Sequence, residues 1–149
     1  MLKLNLPTFD YKINRTSDGL QIYDRLRRKF VALTPEEWVR QHFVEFIITH
    51  KGFPPSLIAN EIGITLNNTR RRCDTVVYDN TATSLVIIEY KAPSVEITQA
   101  TFDQIVRYNM VLQAKYLIVS NGLNHYCCSI DYHNQSYRFL KEIPSYSEL

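Results

Sequence analysis

The chain has 149 residues, 45% of them hydrophobic and 21% charged, which is enough for one globular domain with its own core and unlike a disordered or fibrous chain. A formal charge of +2 is too small for a general polyanion binder, so any grip on nucleic acid must rest on local clusters, Arg25-Arg27-Arg28-Lys29 or Arg70-Arg71-Arg72. No apolar run is long enough to span a bilayer, the first residues lack the pattern of a signal peptide, and three cysteines, two of them adjacent (Cys127, Cys128), make no disulfide framework; a cytoplasmic protein without a membrane partner is expected.

In chain order, residues 1–33 read as a β-rich N-terminal segment, with Ser17-Asp18-Gly19 as a turn before Leu20-Gln21-Ile22-Tyr23. A helix begins at Thr34: threonine is a good N-cap, Pro35 suits the first helical position, and Glu37 is placed to complete a capping box. Val39, Phe43, Phe46 and Ile47 recur at helical spacing, and Lys51-Gly52 with Pro54 marks the stop. Residues 57–65 read as a strand, Asn67-Asn68 as a turn, and Arg72 to Tyr78 as a second strand that folds back through Asp79-Asn80-Thr81. Residues 84–91, apolar from Leu85 to Ile88, form the most buried strand. A second helix spans 98–113 with Thr98 as cap; strands at Lys115–Ser120 and His125–Ile130 follow, and Tyr137–Leu140 adds an edge. The order helix, three strands, helix, strand predicts an α/β fold, a central mixed sheet flanked by helices. Residues 34–140 would be the core of this single domain and 141–149 a tail.

The chemistry concentrates in two strands. Glu89 and Lys91 end an almost wholly apolar run, and the period-two alternation of a strand puts both on one face. Asp74 opens the neighbouring run, so two carboxylates and an ammonium converge. Ionised groups at the end of a buried strand are costly unless paired or bound to a cation. Two carboxylates, with the backbone carbonyl of Tyr90 as a third oxygen, suit a hard divalent ion such as Mg²⁺ (or Mn²⁺ in its place), and Lys91 beside them could orient a water or stabilise a developing negative charge. This pattern points to phosphodiester hydrolysis. The alternative for each element is structural: a solvated strand end for Glu-x-Lys, a solvated face for the arginine runs, and a helix start alone for Glu37. The four histidines are scattered, without zinc-site spacing, and Cys127 and Cys128 would face opposite sides of a strand.

Asp74, fourteen intervening residues, then Glu89-Tyr90-Lys91 resembles the core motif of the PD-(D/E)XK nucleases, and Gln104-Ile105-Val106-Arg107-Tyr108 resembles the Gln-x-x-x-Tyr motif of RecB-like members. Thr34-Pro35-Glu36-Glu37-Trp38-Val39-Arg40-Gln41, Glu89 through Pro93, Arg107-Tyr108-Asn109 and Val119-Ser120-Asn121-Gly122 are similar to the N-terminal nuclease domain of type I restriction enzyme restriction subunits, over roughly residues 20–130. The resemblance implies a restriction-endonuclease-like core that cuts DNA with Mg²⁺. It implies Asp74 and Glu89 as metal ligands, Lys91 as the catalytic lysine, Gln104 and Tyr108 as supporting residues, and Glu37 as a helix-borne acid, with Glu45 and Glu61 as weaker substitutes. Arg70, Arg71 and Arg72, leading into Asp74, would meet phosphates first. These residues hold no Gly-x-x-x-x-Gly-Lys-Ser/Thr loop and so are not a complete restriction motor; a translocase or methyltransferase subunit is a candidate partner, and a double-strand break would need a homodimer or two binding events. A catalytically silent module that binds nucleic acid or a partner subunit, and a metal-binding structural domain, are the competing readings.

Overall fold

The computed structural model describes residues 2–66 and 68–149. Among them nine strands form two sheets. β1 (Ile13–Thr16), β2 (Gly19–Asp24) and β3 (Lys29–Ala32) make a small antiparallel sheet; α1 (Pro35–Lys51) follows. β4 (Ile58–Leu66), β5 (Thr69–Tyr78), β6 (Ser84–Tyr90), α2 (Gln99–Met110), β7 (Tyr116–Ser120), β8 (His125–Asp131) and β9 (Ser136–Phe139) complete the chain. The large sheet has the order β4-β5-β6-β7-β8-β9. Its pairs are antiparallel except β6–β7, which is parallel because α2 carries the chain back across the sheet. The expected α/β core, with helix and strands in the predicted order, is what forms.

Local signals account for the element ends. Thr34 Oγ1 accepts from Glu37 N (3.0 Å), and Gly52 closes α1 in the left-handed region at φ 71°, its N–H bonded to Ile47 O. The capping box is only half made, because the Glu37 carboxylate turns away from the cap to bind Arg27, Arg40 and Gln41. Thr98 caps α2 by accepting from Thr101 N (3.2 Å). That helix ends at Met110 rather than 113: the next residues turn, and Gln113 takes φ 55° to bring the chain into β7. Asp79 holds the β5–β6 hairpin by accepting from Thr81 N and Thr83 N. Asn67, half of the expected turn between β4 and β5, lies outside the described residues.

Two apolar layers cover the two faces of the large sheet. On one, Val39, Phe43 and Ile47 of α1 pack on Val77, Val86, Ile88, Ile118 and Cys127. On the other, Phe102 and Val106 of α2 pack on Val76, Ile87, Leu117, Val119 and Cys128. The adjacent cysteines thus lie on opposite faces, as period-two alternation requires, and all three thiols are free and buried. Both chain ends join the α1 layer. Trp38 Nε1 donates to Leu2 O (2.8 Å), and Leu4 presses on Gly122, where a Cβ would come within 2.8 Å of its Cδ2. The expected tail is likewise part of the core: Ile143 is buried and Tyr146 Oη donates to Tyr78 O.

One irregularity positions the site. The β4–β5 ladder pairs Asn60 with Thr75 and Ile62 with Cys73 but skips Glu61 and Asp74, where Glu61 adopts φ 58°. At that point the faces exchange. Ile58 belongs to the α1 layer and Ile62 and Ile64 to the α2 layer; on β5, Val77 packs with α1 while Cys73 packs with α2. The Asp74 carbonyl, out of the ladder, accepts from Arg40 Nη1 (2.7 Å), and the same guanidinium reaches Glu61 (2.7 Å) and Glu37 (2.8 Å). Arg40 is buried, so removing it would leave the Asp74 carbonyl without this donor and take one cation from each of two carboxylates, which keep Arg27 and Gln41 or Arg72. Arg40→Met is expected to cost about 3 kcal/mol. Urea unfolding followed through the fluorescence of Trp38, the chain's single tryptophan, measures it.

Candidate active site

The antiparallel register Thr75–Ile88 sets Asp74, midway along β5, beside Glu89 near the end of β6. Asp74 Oδ2 accepts from Tyr90 N (2.9 Å), which fixes that carboxylate across the end of β6. Glu89 looks out on the α2 face of the sheet, and Asp74 is near enough for its charge to bear on it. Burial, then the Asp74 charge, pushes the Glu89 carboxyl well above the usual carboxylate range; Lys91 and Asn109 pull the other way and are outweighed. Glu89 Oε1 is buried with no hydrogen-bond partner. Cys73, alongside, is pushed up to about 12 by burial and then by Glu89 and Asp74, so its thiol stays protonated at neutral pH.

Glu89 and Lys91 line a cavity of about 290 Å³, closed on the other side by Thr101, Gln104, Ile105, Tyr108 and Asn109 of α2. Gln104 and Tyr108, four residues apart, therefore do share the helix face that looks at the acids. Asn109 is a site residue that motif reasoning passes over. It is buried, its Nδ2 donates to Ile105 O (2.9 Å), and its Oδ1, like Glu89 Oε1, has no partner. A signal existed: Phe102, Val106 and Asn109 follow the spacing of one buried helical stripe, and a lone amide on such a stripe needs a reason.

Glu37 is not brought to this cavity. It stands on the α1 side, bonded to Arg27 Nη2 (2.8 Å), Arg40 Nη2 (2.8 Å) and Gln41 Nε2 (2.9 Å). Burial alone would raise its carboxyl, but Arg40, then Gln41 and Arg27, hold it below the ordinary value. Its link to the acids is indirect, through the Arg40 bond to the Asp74 carbonyl. Glu61 shares that guanidinium and also takes Arg72 Nε (2.6 Å). Glu45 pairs with Arg25 (3.0 Å), far along the helix from this network. The network extends through Asp24, which accepts from Arg27 and Asn60, to Thr75 and the hydroxyl of Tyr90. Among the arginines before Asp74, Arg72 is tied to Glu61, Arg70 is exposed beside Gly63, and Arg71 lies over the ring of Tyr108 at 4.0 Å.

Chemically, the cavity offers the Glu89 carboxyl with its orphaned buried oxygen and a lysine, and Asp74 stands behind Glu89 on the neighbouring strand. Among the described residues no group of three or more His, Cys, Asp or Glu gathers to hold a metal ion. The donors are hard oxygens, Asp74 and Glu89 with backbone carbonyls to complete a set, which fit Mg²⁺ better than a thiolate-seeking or imidazole-seeking ion. A cation there would satisfy the orphaned Glu89 Oε1 and relieve the repulsion between the acids.

The mixed sheet and the flanking helices define a restriction-endonuclease-like α/β domain. The fold is shared with a fragment ascribed to an HsdR subunit of a type I restriction enzyme from Vibrio vulnificus YJ016, at a TM-score of 0.55 and 18% identity over 80% of this chain. Residues 35–144 match the family described as type I restriction enzyme R protein N terminus (HSDR_N), and the chain belongs to that family. It spans 25% of the length of the Vibrio chain. Comparison with curated proteins gives no match.

Because the Glu89 carboxyl is raised in the folded, metal-free protein, its neutral form is the one folding favours. The stability it contributes is full below the ordinary carboxylate range and is lost as pH climbs through the raised value. Glu89→Gln is therefore expected to be more stable than wild type at neutral pH, by about 2 kcal/mol, and to lose most of that pH dependence. Thermal denaturation in EDTA between mildly acidic and alkaline pH is the measurement; an equal pH slope in both proteins would refute the assignment.

Proposed function

We propose that this chain is the nuclease domain of a type I restriction system: a Mg²⁺-dependent endonuclease acting on DNA phosphodiester bonds, with Mn²⁺ as a substitute ion. The observation that carries the reading is the shared cavity of Asp74-paired Glu89, Lys91, Gln104 and Asn109, with its partnerless carboxylate oxygen, in a chain of the R-protein N-terminal family. Asp74, Glu89 and the carbonyl of Tyr90 would hold the ion. Bound there, Mg²⁺ supplies an acidified water and neutralises charge building on the phosphate.

The chain's own residues do the rest. Hydrolysis forms a bond from the water oxygen to phosphorus as the bond from phosphorus to the leaving alkoxide breaks, and negative charge gathers on the phosphate oxygens. Lys91, on the same face as Glu89, puts an ammonium where that charge develops, in a walled cavity where it is poorly screened. Gln104 presents an amide able to orient water or a phosphate oxygen. Tyr90 N holds Asp74 in place, so the two acids keep their spacing without a substrate. One such site cuts one strand, so a double-strand break needs a homodimer or two encounters. A translocase or methyltransferase subunit would supply motion along DNA and recognition.

Purified protein is expected to nick supercoiled plasmid with Mg²⁺ or Mn²⁺ and not in EDTA. Asp74→Ala should abolish nicking, and Lys91→Ala should slow it at least about a hundredfold. Plasmid that is bound but never cut by wild type would instead favour a module that works only through a partner subunit. Nicking that survives Asp74→Ala would remove the site from consideration.

A further inference from the structure

The three arginines before Asp74 look equivalent in the sequence, but the fold gives them different surroundings. Arg72 is neutralised by Glu61 at 2.6 Å, and Arg70 points out beside Gly63. Arg71 lies on the α2 face, two residues from Cys73, whose thiol borders the Glu89 carboxyl. Its guanidinium carbon stands 4.0 Å from the centre of the Tyr108 ring, close enough for a stacked cation–π pair. Its Nε is buried without an acceptor, and among the described residues no carboxylate forms an ion pair with it. A planar cation fixed over a ring, with a desolvated donor left open, lacks one thing: an anionic oxygen acceptor. Tyr108 itself lines the cavity of Glu89 and Lys91, so the stack sits at the cavity rim.

We propose that Arg71 is the phosphate-binding residue of this site, taking a backbone phosphate of the DNA strand next to the bond being cut, and that Tyr108 is a positioning residue that acts through Arg71. The inference rests on the nuclease reading for its substrate. Stacking removes rotamer freedom from a long side chain before the ligand arrives, which is why the ring matters. It also assigns the Tyr108 face, not its hydroxyl, as the useful part: the ring meets the guanidinium, and the side chain is 40% exposed.

The test is a cycle of Arg71→Ala, Tyr108→Leu, Tyr108→Phe and the double variant Arg71→Ala/Tyr108→Leu, read by binding of a short fluorescein-labelled DNA, single-stranded and duplex, at several salt concentrations with Ca²⁺, and by plasmid nicking with Mg²⁺. Arg71→Ala should weaken binding about tenfold and lower the slope of log K against log salt by about one. Tyr108→Leu should raise KM with little change in kcat, Tyr108→Phe should behave as wild type, and the double variant should be no worse than Arg71→Ala. Arg70→Ala, the neighbouring exposed charge, should have a smaller effect. Unchanged salt slope in Arg71→Ala, additive losses in the double variant, loss in Tyr108→Phe, or no DNA binding by wild type would each overturn the proposal. If nicking persists with Arg71 dispensable, the nuclease reading stands and this inference alone fails; if binding follows Arg71 but nothing is cut, the phosphate contact stands and the nuclease reading fails.

Discussion

A single buried guanidinium holds the geometry of this fold. Where β4 and β5 exchange faces, the ladder loses one rung and leaves the Asp74 carbonyl without a strand partner. Arg40 fills that gap from α1 and brings Glu37 and Glu61 with it. Arginine suits the task because one planar fork can bond several oxygens at once and stays charged when buried. The consequence is felt on the opposite face: the backbone that Arg40 pins is the backbone from which the Asp74 carboxylate projects towards Glu89. The helix-borne acid Glu37 is thus linked to Asp74 only through a cation and a peptide carbonyl, without approaching the acidic pair.

The acidic pair itself is an arrangement a stable fold would avoid. Burial and the neighbouring Asp74 charge raise the charging cost of Glu89, and one of its oxygens is left without a donor. Nearby groups could have been donors, yet the Asn109 amide nitrogen is committed to Ile105 O, and Lys91 forms no ion pair among the described residues. Unsatisfied groups in an otherwise well-bonded interior mark places where stability has been given up, and sites of chemistry are where this is commonly found. The α1 side shows the contrast. There every carboxylate of the Asp24, Glu37 and Glu61 series has arginine or amide partners, and each is held below its ordinary value. One face of the sheet is a satisfied scaffold and the other keeps its charges open.

Much of this was legible in the residues. Thr34-Pro35 and Gly52 delimit α1, Thr98 starts α2, and the apolar run 84–91 becomes the central strand, because caps and alternation act over a few residues and need no tertiary partner. The convergence of Asp74, Glu89 and Lys91 follows from alternation plus one hairpin. Other features were beyond local rules. Glu37 sits at a capping-box position, yet its carboxylate prefers three partners drawn from elsewhere in the fold. The tail at 141–149 is polar enough to read as a loose end, but Ile143 and Tyr146 seal the α1 layer. Asn109 and the Arg71–Tyr108 stack depend on how α2 lies across the sheet, which no spacing within the helix reveals.

The sequence by itself determined the elements, their order, the pairing of the two acids and the family to which the chain belongs, since each depends on neighbours a few residues apart or on motifs kept in order. Only the tertiary structure decided which charges are spent on one another and which stay open. Arg70, Arg71 and Arg72 are equivalent as letters; Glu61 at 2.6 Å neutralises one, solvent screens another, and an aromatic ring from a distant helix holds the third. That choice is made by distance and desolvation, which exist only once the chain has folded.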